Sequence, residues 1–256
     1  MNNDIFNNNR FGKLLFRQIQ LASKGLLIAA AAYIGFSVFI MFMPMIDSNY
    51  QFNSSIFFGA LLPMLFLGGL IATSMAFAEL NSNQKSYLYL TLPASTTEKL
   101  AVAWLTNSVF YLVFTIVILF IINLLLVFID KIGFSRGVFF VNLFDHKALI
   151  TYANYLVIQP IFLLGAIYFR KMNFLKTVLA LILVGFSIAL YSGLLTGLAV
   201  WINGGNHTFG KIDHYNITNN DAVIHFIVVN AKILYWGLTA PFFLLVSYFS
   251  LKERQV

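Results

Sequence analysis

Residues 79–100 read ELNSNQKSYLYLTLPASTTEKL, a polar break between two long apolar runs, 56–78 and 101–129. Each flanking run meets the roughly 20 apolar residues that a helix needs to cross a bilayer. The second half of the break spells a helix start. Pro93 disfavours helix at Leu92 and ends whatever precedes it. Ser95 is placed to cap the next helix, and Glu98, three residues on, completes the capping-box spacing. Tyr87 and Tyr89 add two aromatics. A plain turn between two spans needs none of these features, so the stretch reads as a surface built to be touched.

The rest of the chain repeats the apolar runs. Of its 256 residues 60% are hydrophobic and 10% charged, against about 25% charged in a soluble domain. Mean hydropathy is +0.83. This is the composition of an integral membrane protein. Six runs are long enough to span: 26–45, 56–78, 102–129, 149–169, 174–201 and 226–250. Little chain is left over, so one transmembrane domain over 1–256 is expected, all-α and polytopic. Extra structure is confined to loops 130–148 and 202–225.

The net charge of +7 is read through the positive-inside rule. With the N-terminus inside, the inner segments hold Arg10, Lys13, Arg17, Lys24, Lys85, Lys99, Arg170, Lys171, Lys176, Lys252 and Arg254. The outer ones hold Lys131, Arg136, Lys147 and Lys211, with Lys232 at the outer interface. That imbalance predicts both termini in the cytosol, together with 79–100 and 170–176; residues 46–55, 130–148 and 203–225 then face outward. Trp104, Trp201 and Trp236 fall near span ends, as an interfacial belt requires. The first apolar run begins late and is longer than a signal-peptide h-region, so a cleaved leader is not expected.

Residues 10–24 are amphipathic. Phe11, Leu14, Leu15, Ile19 and Ala22 follow helical spacing on one face, while Arg10, Lys13, Arg17 and Lys24 gather on another. An interfacial helix in the inner headgroup layer fits this pattern; a charged flank that only sets orientation also fits. Within the second span, Pro63 and the pair Gly68-Gly69 either kink the helix or let a neighbour approach closely, with packing the favoured role. Asn107 and Asn123 are expected to hydrogen-bond to neighbouring helices, the alternative being that they line a pathway. Gly193 and Gly197 form a small-xxx-small pair, serving either a contact inside one subunit or a seam between two subunits.

Several patterns point away from chemistry. Gly205 to Lys211 matches Gly-x-x-x-x-Gly-Lys, but Ile212 stands where a phosphate-binding loop needs Ser or Thr. His207, His214 and His225 share a segment with Asp213 and Asp221, yet the spacing fits no metal-ligand motif. The sequons at Asn206 and Asn216 are common in an Asn-rich loop. There is no cysteine, hence no disulfide or thiolate metal site. No His-Glu-x-x-His, serine elbow or paired intramembrane carboxylate is present, so no catalytic, cofactor or metal residue is expected and the chain does not read as an enzyme. Ion-coupled carriers place ionisable groups at membrane depth. Lys232 lies about 27 Å above Ser250 along a helix, close to the far interface, so any pumping draws energy from elsewhere.

Residues 92–100, LPASTTEKL, resemble the Leu-Pro-x-Ser-x-x-Glu-Lys pattern of permease subunits in bacterial ATP-binding-cassette (ABC) exporters of the type-2 group. The likeness extends to the basic amphipathic start, six spans, the structured loop between spans two and three, and a larger outer segment. The resemblance implies a short cytosolic coupling helix in that loop, opened or bordered by Ser95 to Lys99. That helix would dock onto a separate ATPase subunit through Tyr87, Tyr89, Pro93, Ser95, Glu98 and Lys99. It also implies a homodimer or heterodimer of permeases in the cell inner membrane, and a re-entrant region at 203–225, where this chain is polar. The alternative is a non-transporting membrane scaffold or assembly factor.

Overall fold

A computed structural model describes residues 6–45, 54–81, 86, 87, 89, 91–134, 140–202 and 229–254, and every regular element among them is helical. Helix α1 is Asn8–Met45 and α2 is Ser54–Ser74, followed by a 3-10 turn at Ala78–Asn81. Helix α3 (Thr96–Leu105) runs through a π-turn at Thr106–Phe110 into α4 (Tyr111–Ile129), which ends in a second π-turn. Then come α5 (His146–Tyr168), α6 (Asn173–Ile202), a π-turn at Leu234–Leu238, and α7 (Thr239–Glu253). Six helical stretches are long and apolar enough to cross a membrane, and each contains most of one of the six apolar runs. The protein is therefore an all-α, polytopic membrane protein. His207, His214 and His225, the sequons and the Gly205–Lys211 pattern lie outside the described residues.

The stretches alternate in direction, so the bundle has two faces. We call the face carrying the N-terminus proximal and the other distal. Helix α5 is the central post: α2, α6 and α7 all pack on it, while α1 lies along α3 and α4. The distal core gathers Phe57, Leu61, Leu119, Ile122 and Val141. The proximal core gathers Phe77, Tyr89, Leu100, Leu163 and Leu251. Between them sit Leu70, Tyr155 and Phe162. Among the described residues nothing covers the outward face of α6: no residue in its spanning window is buried.

Two expectations are reshaped. The amphipathic segment 10–24 is not a separate helix lying flat; it forms the first turns of the 38-residue α1. At 1.5 Å per residue α1 is about 57 Å long, against a hydrocarbon core of about 30 Å. Its basic turns therefore extend the axis of the first span beyond the core. Their apolar face turns to the protein: Leu14 is buried and Phe11, Leu15, Ile19 and Ala22 are half-buried, while Lys13 and Phe16 are exposed. Likewise, the helix that Ser95 starts is no isolated coupling helix, because α3 continues into the third span without a break. The short helical turn of the loop lies earlier, at Ser86, Tyr87 and Tyr89.

Polar residues in the spans mostly satisfy themselves. Asn107 was expected to reach a neighbouring helix, but its Nδ2 donates to the Ala103 carbonyl of its own helix (2.9 Å). Thr106 and Ser108 also bond four residues back. The link between helices is made instead by the backbone of Asn107, whose carbonyl accepts from the Tyr155 hydroxyl at 2.6 Å. A π-turn disturbs the regular helical ladder, and this one lies where Tyr155 meets the chain. Asn123 does make a distant contact: its amide pairs with both the carbonyl and the N–H of Val141. That pins the connector before α5 to the distal core.

Candidate functional site

The capping box forms as its spacing predicts. Ser95 has extended backbone angles (φ −69°, ψ 159°) and its Oγ accepts from the Glu98 N–H, while Glu98 Oε2 accepts from the Ser95 N–H at 2.8 Å. The other oxygen of the same carboxylate does a second job. Glu98 Oε1 accepts from the Asn7 N–H at 2.7 Å and from Arg10 Nη2 at 3.2 Å. The side chain is fully buried. One glutamate thus starts the third span and clasps the first turn of α1. A second pair, Arg17 Nη2 to Glu79 Oε1 at 3.0 Å, ties α1 to the end of the second span. That pair is partly exposed and contributes little alone.

The remaining loop residues divide by exposure. Tyr89 is 5% exposed and sits edge-on to Phe77, with ring centroids 6.2 Å apart. Lys99 is buried as well, its Nζ 5.4 Å from the Tyr89 ring centroid, within cation–π range. Burial pushes the Tyr89 phenol above its ordinary pKa, so it stays neutral. Tyr87, by contrast, is 69% exposed, and Pro93 is exposed. Of the six residues expected at a partner contact, Tyr87 and Pro93 are on the surface. Tyr89, Ser95, Glu98 and Lys99 form the support beneath them. Nothing in the local pattern separates the two tyrosines, since both sit in the same polar break.

The neighbouring turn completes the proximal face. Met172 takes a left-handed backbone (φ 54°) between α5 and α6. Asn173 Nδ2 donates to the carbonyls of Ser74 and Ala166, and Arg254 Nη2 donates to the Tyr168 carbonyl at 2.9 Å. The ends of α2, α5, α6 and the last helix are thereby fastened together next to the loop. Arg170 and Lys171, two of the basic residues of the inner segment 170–176, lie in this turn.

Gly193 and Gly197 lie on the bare face of α6. A Cβ at either would meet nothing within 4 Å, so no contact inside the described chain accounts for the pair. Close packing falls on other glycines. Gly69 faces Tyr111 and Tyr155, and Gly165 faces Thr177. Among the described residues, Trp104 Nε1, the Gln159 amide and Ser247 Oγ are buried without a hydrogen-bond partner. Among the described residues no group of three or more metal-ligating side chains comes together.

No family model, curated protein or solved structure matches this chain. The class that fold and site define is a polytopic helical membrane protein whose proximal loop is clasped to its first helix.

Proposed function

We propose that this chain is the membrane-spanning permease subunit of an ATP-driven exporter, and that its proximal face docks a separate ABC ATPase subunit. One observation carries the reading: a loop ridge that exposes Tyr87 and Pro93 rests on buried Tyr89, Ser95, Glu98 and Lys99, whose contacts join several spans. A push on that ridge is passed to α3 through the cap, to α1 through Glu98, and to the cluster around α5 and α7 through Tyr89. A loop wired in this way suits rigid-body rocking of helices. The direction of transport rests on the resemblance of residues 92–100. In this reading the proximal face is cytosolic, both termini lie there, and the chain resides in the cell inner membrane. The buried polar atoms of Trp104, Gln159 and Ser247 are consistent with bound water or a polar path inside the bundle.

The test is crosslinking. The chain has no cysteine, so single cysteines report without background. Cysteines at Tyr87 and Pro93 should crosslink to the partner ATPase subunit, with a yield that changes on adding ATP. Cysteines at Tyr89 and Lys99 should react at least tenfold less, because both side chains are buried. Success also fixes the proximal face as cytosolic, where ATP is. An inserted protein that crosslinks to no ATPase would move the assignment to the scaffold reading.

The exporter reading also calls for two permeases side by side, and the bare face of α6 is the candidate seam. Gly193→Leu or Gly197→Leu should leave monomer stability within about 0.5 kcal/mol, as for an uncrowded surface change. The oligomer in mild detergent should weaken, since a side chain holds the partner backbone away. An unchanged oligomer in both variants would leave α6 facing lipid.

A further inference from the structure

We infer a lipid site on the distal half of the bundle: a groove between α2 and α5 that holds one zwitterionic phospholipid, its headgroup on Asp145 and Lys147 and its chain along α2. This inference does not depend on the partner ATPase. The groove encloses about 640 Å³, inside the range of about 300–1,000 Å³ typical of small-molecule sites. Its wall on α2 is apolar, formed by Phe58, Leu62, Phe66 and Leu67. The groove exists because α2 presents little side chain at Gly59 and Pro63, which also line it.

Depth and charge select the occupant. Phe58 to Leu67 covers nine residue steps, or about 14 Å of helix, roughly half of the ~30 Å hydrocarbon core. That is the depth of one leaflet. The two charges lie only at the distal end, on the first turn of α5. Asp145 occupies the cap position of α5 without making a side-chain cap bond. Among the described residues, neither Asp145 nor Lys147 has a side-chain hydrogen bond or ion pair, with each other or with any other group. A carboxylate and an ammonium, both unspent and two residues apart, complement a headgroup that carries an amine and a phosphate. An anionic headgroup would leave Asp145 opposed, and a headless apolar chain would leave both charges unused.

The experiment is lipid titration of the delipidated, full-length protein in mild detergent, read by native mass spectrometry. The probes are phosphatidylethanolamine and phosphatidylglycerol with identical chains. The wild type should hold one phosphatidylethanolamine about fivefold more tightly than phosphatidylglycerol, the scale of one interfacial charge–lipid contact. Asp145→Asn with Lys147→Met should abolish that preference. Gly59→Phe should remove the tight adduct altogether by filling the groove. It should also fold, because a Cβ at Gly59 meets nothing within 4 Å; its melting temperature checks this. Equal binding of the two lipids, or an adduct that survives Gly59→Phe in a folded protein, would reduce the groove to ordinary annular lipid and overturn the site.

Discussion

Glu98→Ala should destabilise the protein by about 3 kcal/mol, more than loss of the Ser95 cap or of the Arg17–Glu79 pair. About 1 kcal/mol comes from the lost reciprocal cap. About 2 kcal/mol more comes from the charged hydrogen bonds to Asn7 and Arg10, kept at that level because Arg10 is partly exposed and water can replace some of what it loses. Ser95→Ala breaks the cap alone and should cost about 1 kcal/mol. Arg17→Ala breaks the exposed pair with Glu79 and should cost under about 1 kcal/mol. The order Glu98 > Ser95 ≥ Arg17, measured by thermal unfolding in mild detergent, is the signature of a clasp. Release of residues 6–24 should accompany the first variant, seen as faster proteolysis at Arg10 and Lys13. If Glu98→Ala costs no more than Ser95→Ala, the carboxylate is only a cap and the coupling of α1 to the loop is lost.

Legibility followed the range of the interaction. The six spans are composition written over about 20 residues each, and the capping box is chemistry within four residues; both could be read before any fold was known. The other half of Glu98's work could not, because Arg10 is 88 residues away and any of several basic residues near the start was an equal candidate. An interfacial helix over 10–24 would need a break before the first span at 26, and Gly25 is the one candidate between them. The structure has no break there, since glycine weakens a helix by only about 1 kcal/mol and nothing else in the segment stops it. Tyr87 and Tyr89 differ in burial because one turns toward Phe77 and the other does not, a matter of the loop's path. Asn107 was legible as a hydrogen-bonding residue but not as one that bonds its own helix and leaves the crossing contact to its backbone.

Gly69 was legible as a packing position, though not its partners, and its replacement has the other large expected effect. A Cβ there would lie 2.5 Å from Tyr111 Cε1 and 2.6 Å from Tyr155 Cε2. Flexible rings can often swing aside, but these two are held at their far ends. Tyr111 donates its hydroxyl to the Leu65 carbonyl at 2.8 Å and Tyr155 donates to the Asn107 carbonyl. Moving either ring breaks a buried hydrogen bond, worth about 1 kcal/mol net, on top of about 1–3 kcal/mol for overpacking. Gly69→Ala should therefore cost about 2–4 kcal/mol, and Gly69→Leu should prevent a stable fold. Gly193→Ala and Gly197→Ala, with open space around them, should be nearly silent in the monomer. Shrinking one ring separates crowding from helix propensity: Tyr111→Leu in the Gly69→Ala background should cost at least 1 kcal/mol less than it does alone, because the two changes touch the same space. Strict additivity would mean that the crossing of α2, α4 and α5 is loose. The tyrosines would then not fix the spacing through which the middle of the bundle links the proximal loop to the distal core.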